Sequence, residues 1–320
     1  MKPRKNEFTG VKNRNLLDEL PPNTNYEEWF NYRDKYNRAS NLEDNQHPIQ
    51  LDVELNGGCN MKCPFCLHGY DKIENTLFDF DEYKKLIDEA INLGVRSLKL
   101  NYINEPLLRL DLEQFIIYAK NKGMLNIFMS TNGSMLTPKR AISILESGIT
   151  KMFISIDAIT KETYNEQRLS GKYEKVVANI LNFIELRNSR GLSFPLIRVN
   201  FLKNKINEAE EVAFVEFWQD KADMIAIQNM NDLPDQDSGL ILKEESKDYK
   251  CSFPFKQLVV NHKGNILPCC TMYGDKLRLG NVKDMTLKEA WDSPKAKELR
   301  KLHKDGNYRE NPICNRCING

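Results

Sequence analysis

The sequence predicts an α/β protein built on a parallel sheet, and three observations lead there. Strand-like apolar segments recur six times between residues 48 and 230. Stretches with apolar residues at helical spacing separate them. The connections are long enough for right-handed crossovers, which lay successive strands parallel. Eight such units close a barrel, whereas six leave an incomplete barrel or a doubly wound open sheet. Periodicity alone does not separate these two.

The elements follow in order. In HPIQLDVEL, Ile49, Leu51, Val53 and Leu55 alternate, giving a first strand that delivers the chain into a cysteine-bearing loop. A helix is predicted over 81–93, with Tyr83, Leu86, Ile87, Ala90 and Ile91 on one face and Gly94 at its end. SLKLNYI is the second strand, 112–122 a helix and NIFMSTNG the third strand. Pro138 sits in the first turn of the next helix. KMFISID is the fourth strand, and a helical stretch over 161–190 should break near Gly171. PLIRVNFL, a helix over 208–219 and DMIAIQNM complete the series.

This core is expected to span 48–230, after an N-terminal extension or cap over 1–47 with one helix at 26–38. The polar segment 231–250 reads as a linker or active-site loop, and its Asp232, Asp235 and Asp237 read as a solvated face or as contacts to a cationic or polyhydroxylated ligand. A second, smaller unit should occupy 251–320, with a hairpin turning at 262–265 and a helix over 287–302.

Composition narrows the function. The net charge is +1, from 46 basic and 45 acidic residues, so nothing global points to nucleic acid or an anionic membrane. No segment approaches the ~20 apolar residues of a membrane span. MKPRKNEFTGVKNRN has no apolar core of a secretory signal, so a cytoplasmic protein is expected, and its eight cysteines read as metal ligands before disulfides.

Cys59, Cys63 and Cys66 stand as C-x-x-x-C-x-x-C in LNGGCNMKCPFCLHGY. Three soft sulfur donors in one loop can hold three irons of a [4Fe–4S] cluster and leave the fourth open to a small molecule. A zinc site is the alternative, but such sites usually come as paired C-x-x-C motifs or with histidine spacers. The motif, with Phe65 at an aromatic position, resembles that of radical S-adenosylmethionine (radical SAM) enzymes. The resemblance implies a partial (β/α)6 TIM-like barrel and SAM bound at the open iron.

It also implies SAM contacts at the strand ends. Asn104-Glu105-Pro106 stands where the family has a Gly-Gly-Glu-Pro-type motif, although Ile103 and Asn104 replace the glycines. Ser130, Thr131 and Asn132 end the third strand, Ser155 and Asp157 the fourth and Asn200 the fifth. Short hydroxyl and amide groups suit ribose hydroxyls, and each also suits a helix cap. Arg168 resembles a family arginine that pairs with the SAM carboxylate, with a surface ion pair as the alternative. His68 either lines the site or packs.

Cys251, Cys269, Cys270, Cys314 and Cys317 form a second group: C-x12-G-x4-C, with Gly264 as the glycine, then C-x-x-C. With LGNVKDMTLKEAW between its halves, this resembles the SPASM domain, in its short α+β form called twitch. That implies one auxiliary [4Fe–4S] cluster on Cys251, Cys269, Cys314 and Cys317, with zinc on the same four as the alternative. Adjacent residues of a strand face opposite ways, so Cys270 is expected to point away from that cluster. It reads as a buried small residue or as a thiol near the active site.

A fully ligated second cluster carries electrons, and the twitch-type dehydrogenases of aminocyclitol and sugar biosynthesis use such a cluster to oxidise a hydroxyl. The resemblance therefore implies a radical SAM oxidoreductase acting on a small molecule, reduced by flavodoxin or ferredoxin. The rivals are an epimerase with Cys270 as hydrogen-atom donor, a peptide-modifying enzyme and a non-catalytic zinc-stabilised binding protein.

Overall fold

The computed structural model describes residues 17–230, 238–242, 250–272 and 274–319. Asp232, Asp235 and Asp237 lie outside the described residues.

The six expected strands form in order: β1 (Gln50–Val53), β2 (Ser97–Lys99), β3 (Asn126–Thr131), β4 (Lys151–Ser155), β5 (Leu196–Lys203) and β6 (Met224–Asn229). All neighbours pair parallel, as crossover connections require. Preceding or connecting them are helices α1 (Tyr26–Ser40), α2 (Leu67–Tyr70), α3 (Phe80–Leu93), α4 (Leu112–Asn121), α5 (Pro138–Ser147), α6 (Lys161–Gln167), α7 (Tyr173–Ser189) and α8 (Glu211–Trp218). The chain breaks between α6 and α7 at Gly171, where a Cβ would stand 2.7 Å from the Tyr164 ring. A short 3-10 turn, Glu208–Glu210, opens what the spacing predicts as one helix with α8.

Past residue 250 come α9 (Phe253–Lys256), β7 (Gln257–Val260), β8 (Asn265–Leu267), β9 (Gly280–Asn281), α10 (Leu287–Asp292), α11 (Pro294–Asp305) and α12 (Pro312–Asn319). The expected hairpin is β7–β8, turned by Gly264 at φ +79°. The single helix expected over 287–302 is two, because Ser293 ends α10 and caps α11 ahead of Pro294.

The sheet does not stop at β1. Its order is β6-β5-β4-β3-β2-β1-β7-β8-β9, and β7 pairs parallel with β1, Gln50 opposite Gln257 through Val53 opposite Val260. The open edge of an incomplete barrel is thus covered by the C-terminal segment.

The two faces of this sheet differ. Leu51, Val53, Leu98, Ile127, Met129, Met152, Ile154, Ile197 and Val199 are buried in one cluster with Tyr83, Phe115, Ile144, Ile180 and other helix residues. Strand alternation puts Gln50 and Asp52, Ser97 and Lys99, Asn126, Phe128 and Ser130, Lys151, Phe153 and Ser155, and Arg198 and Asn200 on the opposite, inward face. That face is polar and charged. Gln50 receives the Ser97 hydroxyl at 3.5 Å, Asn126 donates to Ser97 at 2.9 Å, and Arg198 lies 3.5 Å from the Phe153 ring centre.

One end of this lumen is closed by α1. Trp29 and Tyr32 pack with Ile49, Leu125 and Phe255, the residues just before β1, β3 and β7. Asn126 donates to the Tyr32 hydroxyl at 3.3 Å. Among the described residues no helix is long and apolar enough to cross a membrane.

Candidate active site

The cysteine loop leaves β1 through Glu54, Leu55 and Asn56 and turns tightly. Cys66 N–H donates to the Cys63 carbonyl at 3.1 Å, Gly69 N–H to the Cys66 carbonyl at 2.8 Å, and the Tyr70 hydroxyl to the Pro64 carbonyl at 2.5 Å. Gly69 is required by close approach: a Cβ there would stand 2.4 Å from the Cys63 carbonyl oxygen. Lys62 N–H donates to the Leu169 carbonyl at 3.1 Å, which joins the loop to the turn carrying Arg168.

The three thiols lie in one partly buried group. Burial pushes Cys59 up to about 12 and raises Cys63 and Cys66 as well, with neighbouring thiols adding to the effect at Cys59 and Cys66 and Asp157 at Cys63. Free thiolates are therefore costly there, and coordination to a metal would offset that cost. Arg168 donates to Cys63 Sγ at 3.6 Å, pairs with the buried Asp157 carboxylate and stands 5.3 Å from the Phe65 ring centre. Burial works against its charge, but Asp157 and Cys63 outweigh it and hold the guanidinium pKa above its usual value. Its Nε is buried and has no protein partner among the described residues.

Arg168, Asp157, Phe65 and the three cysteines are thus brought together. Asp157 has φ +62° and is tightly held: Oδ1 accepts from Leu202 N–H at 2.8 Å, and its carbonyl accepts from Gln167 and Asn207, each at 2.9 Å.

Glu105 sits beneath the loop. Its carboxylate accepts from Thr131 Oγ1 at 2.6 Å, Asn132 N–H at 2.7 Å and Leu107 N–H at 3.0 Å. Burial raises its pKa against these donors. Glu105 thereby fixes the ends of β2 and β3 together. Asn132 bonds Asn60 of the cysteine loop at 2.9 Å and accepts from Ser134. Asn104 donates to Asn56 at 2.8 Å, and its own N–H goes to Glu54 at 3.2 Å. Ser155 and Asn200 are register partners on β4 and β5, and the Asn200 side chain accepts from Arg198 at 2.8 Å. Ser130 is half-buried on the inward face, held through its N–H by Asn101. His68 is buried, which lowers its pKa.

Glu54 was not singled out by the sequence. One oxygen accepts from Ile103 and Asn104 N–H at 3.0 and 3.2 Å, the other from His262 N–H at 3.2 Å and Nδ1 at 2.6 Å. It joins the β1 loop, the β2 loop and the β7–β8 turn. The signal was present: Gln50, Asp52 and Glu54 recur at every second residue, which is a polar strand face.

The second cysteine group gathers at the start of α9, the bend after β8 and α12. Burial raises Cys251 and Cys269 strongly and pushes Cys314 up to about 12. Cys269 and Cys270 lie past the end of β8, in a bend, so strand alternation does not govern them. Cys270 adds to the electrostatic load on Cys251 and Cys269, and Lys99 and Asp52 act on its own thiol. Tyr102, from the β2 loop, donates its hydroxyl to the Thr271 carbonyl.

Among the described residues no three His, Cys, Asp or Glu side chains form a set that could hold a metal ion as they stand. The fit to iron–sulfur clusters therefore rests on donor type, on two separate thiol groups and on their burial.

A three-thiol loop at the mouth of an open parallel β/α barrel, with a second thiol group beside the lumen, defines a class of iron–sulfur enzymes. The chain is a radical SAM superfamily enzyme with a C-terminal SPASM domain: the radical SAM superfamily model matches residues 53–204, and that of the SPASM iron–sulfur cluster-binding domain matches 251–318. Its cofactors are SAM with a [4Fe–4S] cluster, and auxiliary iron–sulfur.

Among curated relatives it is similar to the S-adenosyl-L-methionine-dependent 2-deoxy-scyllo-inosamine dehydrogenase of Niallia circulans, 23% identical over 84% of this chain and 92% of that one. It is also similar to a probable GTP 3′,8-cyclase of Methanococcus maripaludis, 34% identical over 45% of this chain, and there it spans only 46% of the relative. Among solved structures, BtrN in complex with AdoMet and 2-DOIA shares the fold with TM-score 0.57 and 22% identity, covering 86% of this chain and 94% of that one. Streptococcus suis SuiB bound to S-adenosylmethionine gives TM-score 0.68 at 15% identity, covering 92% and 78%.

Proposed function

We propose that this chain is a dehydrogenase that oxidises a hydroxyl group of a sugar, aminocyclitol or similar small molecule. The observation that carries the reading is the lumen: it is polar, closed at one end by α1, and bordered by Cys270 of the second cysteine group. Similarity along nearly the whole chain to the inosamine dehydrogenase supports it.

Cys59, Cys63 and Cys66 would hold the SAM-binding cluster, and Cys251, Cys269, Cys314 and Cys317 the auxiliary one. When bound, these groups supply a 5′-deoxyadenosyl radical that takes a hydrogen atom from carbon, and an acceptor for the remaining electron. The protein's own part is placement and exclusion of water. Arg168, fixed by Asp157 and Phe65, offers a buried guanidinium beside Cys63 for a carboxylate. Asn132, Ser155, Asn200 and Ser130 offer amides and hydroxyls at the strand ends. Glu105 holds two of those ends in register through Thr131 and Asn132. A flavodoxin or ferredoxin would serve as reductant in the cytoplasm.

The test is anaerobic incubation of the reconstituted protein with SAM, reductant and a panel of hydroxylated cyclitols and amino sugars, including 2-deoxy-scyllo-inosamine. The expected result is 5′-deoxyadenosine together with a product two mass units lighter. A product of unchanged mass in ordinary water that is one unit heavier in deuterium oxide, lost in Cys270→Ala, would replace oxidation by epimerisation. Turnover of peptides alone would replace the small-molecule substrate.

A further inference from the structure

The oxidation just proposed needs a group that takes the proton of the substrate hydroxyl, and the inward face of the sheet carries one candidate pair that the residues above do not use. Asp52 and Lys99 are register partners on β1 and β2, both on that face. Asp52 is buried, 1% exposed, in the middle of β1. Its Oδ1 is held by Gln50 Nε2 at 2.6 Å. Among the described residues its Oδ2 has longer neighbours, Gln257 Nε2 at 3.4 Å and Lys99 Nζ at 4.0 Å.

A separation of 4.0 Å is too long for a hydrogen bond and wide enough for an oxygen to bridge. An oxygen about 2.8 Å from each partner fits between them. Lys99 keeps 18% of its side chain exposed against 1% for Asp52, so the pair is approached from the Lys99 side.

We infer that Asp52 and Lys99 form the seat of the hydroxyl that is oxidised, with Asp52 as its proton acceptor. This rests on the proposed dehydrogenase reading. The substrate O–H bond breaks and its proton goes to Asp52 Oδ2, while Lys99 stays an ammonium beside the oxygen and offsets the developing charge. The hydrogen atom on carbon and the remaining electron leave to the deoxyadenosyl radical and the iron–sulfur acceptor, which closes the two-electron count.

The surroundings suit the role. Burial raises Asp52 to about 6, against the opposing pull of Lys99 and Gln50, so the carboxylate is a stronger base than a solvated one and still ionised near neutrality. The groups facing it are Gln50 on its own strand, Lys99 from β2, Gln257 from β7, Cys270 after β8 and, from α1, Tyr36. Lys99 is the cation among them.

The experiment compares wild type, Asp52→Asn and Lys99→Gln as reconstituted holoenzymes with the hydroxylated substrate found by the panel. Asp52→Asn should keep 5′-deoxyadenosine release within a few-fold while the yield of oxidised product per deoxyadenosine falls about 100-fold, the scale of general-base loss. Product formation in wild type should rise with pH through about 6 and level off, a limb absent from Asp52→Asn. An unchanged product-to-deoxyadenosine ratio in Asp52→Asn overturns the assignment.

A second readout needs no turnover: calorimetric titration of scyllo-inositol into holoenzyme with S-adenosylhomocysteine bound. Binding at least tenfold weaker in Lys99→Gln supports the seat, whereas equal affinity, or none in wild type, overturns it. If wild type oxidises nothing in the panel, the dehydrogenase reading fails and this titration alone decides the subsite.

Discussion

The two cysteine groups of this protein are assembled in opposite ways. Cys59, Cys63 and Cys66 come from one loop, whose turn is shaped by hydrogen bonds between residues a few positions apart, with distant ties at Asn60 and Lys62 among the bonds described above. Cys251, Cys269, Cys314 and Cys317 come from the start of α9, a bend after β8 and α12, and only tertiary structure brings them near one another. The first group is a local motif placed on a barrel. The second exists only if β7 has docked on β1, the hairpin has closed and α11 has carried the chain back to α12. A local site tolerates distant change, whereas an assembled one reports on the whole fold.

The sharpest way to break that contrast is to remove one thiol from each group. Cys63→Ala should abolish 5′-deoxyadenosine formation while leaving secondary structure intact by circular dichroism. Cys314→Ala should leave deoxyadenosine formation in place and abolish oxidised product. If both variants lose deoxyadenosine equally, the two groups do not have separate duties.

A stability measurement asks whether the assembled group can come apart alone. Trp29 is fully buried and packs on residues that precede β1, β3 and β7. Trp29→Ala should cost about 3–5 kcal/mol, as large-to-small core changes do. In urea, both regions should unfold in one shifted transition. Two separated transitions would mean that the shared sheet is not cooperative.

Acid should separate the regions by sign. His303 is buried, stacks on Tyr308 with ring centres 5.9 Å apart, and is lowered by burial from 6.5 to about 4. The unfolded chain binds that proton first, so stability is lost as pH falls from about 6.5 through about 4, by an amount on the order of 3 kcal/mol. Asp52 runs the other way. Its carboxyl is raised from 3.8 to about 6, so the folded state holds the proton more tightly and stability falls as pH rises across that window. Hydrogen exchange at pH 5 should show α11 and α12 opening before β1. His303→Phe should remove much of the acid loss.

The smallest expected effect sits on the tie between the regions. His262→Ala leaves one Glu54 oxygen without its 2.6 Å partner and should cost about 1–3 kcal/mol. It should also weaken product formation more than deoxyadenosine formation, since Glu54 holds the β2 loop and the β7–β8 turn together.

Much of this was legible in the residue order. The alternation of strand and helix, the break at Gly171 and the hairpin around Gly264 depend on spacing and on glycine, which are local properties. The pairing of β7 with β1 was not legible, because nothing in QLVV names its partner across two hundred residues. The break at Ser293 could have been read from the Ser-Pro that follows α10. The charged lumen was written in the strands all along: Gln50, Asp52 and Glu54 alternate with Leu51, Val53 and Leu55 as strictly as any apolar set. The paired contacts of Arg168 with Asp157 and of Glu105 with Asn132 also needed the fold, since turns set them.

The parallel ladder between β1 and β7 has a metrical consequence. Strands in a sheet lie about 4.8 Å apart whatever the length of chain that joins them. The base of the cysteine loop after β1 and the C-terminal segment are therefore held against each other by backbone rungs. Electron tunnelling is steeply sensitive to such an interval. A one-residue slip of the ladder would reset it.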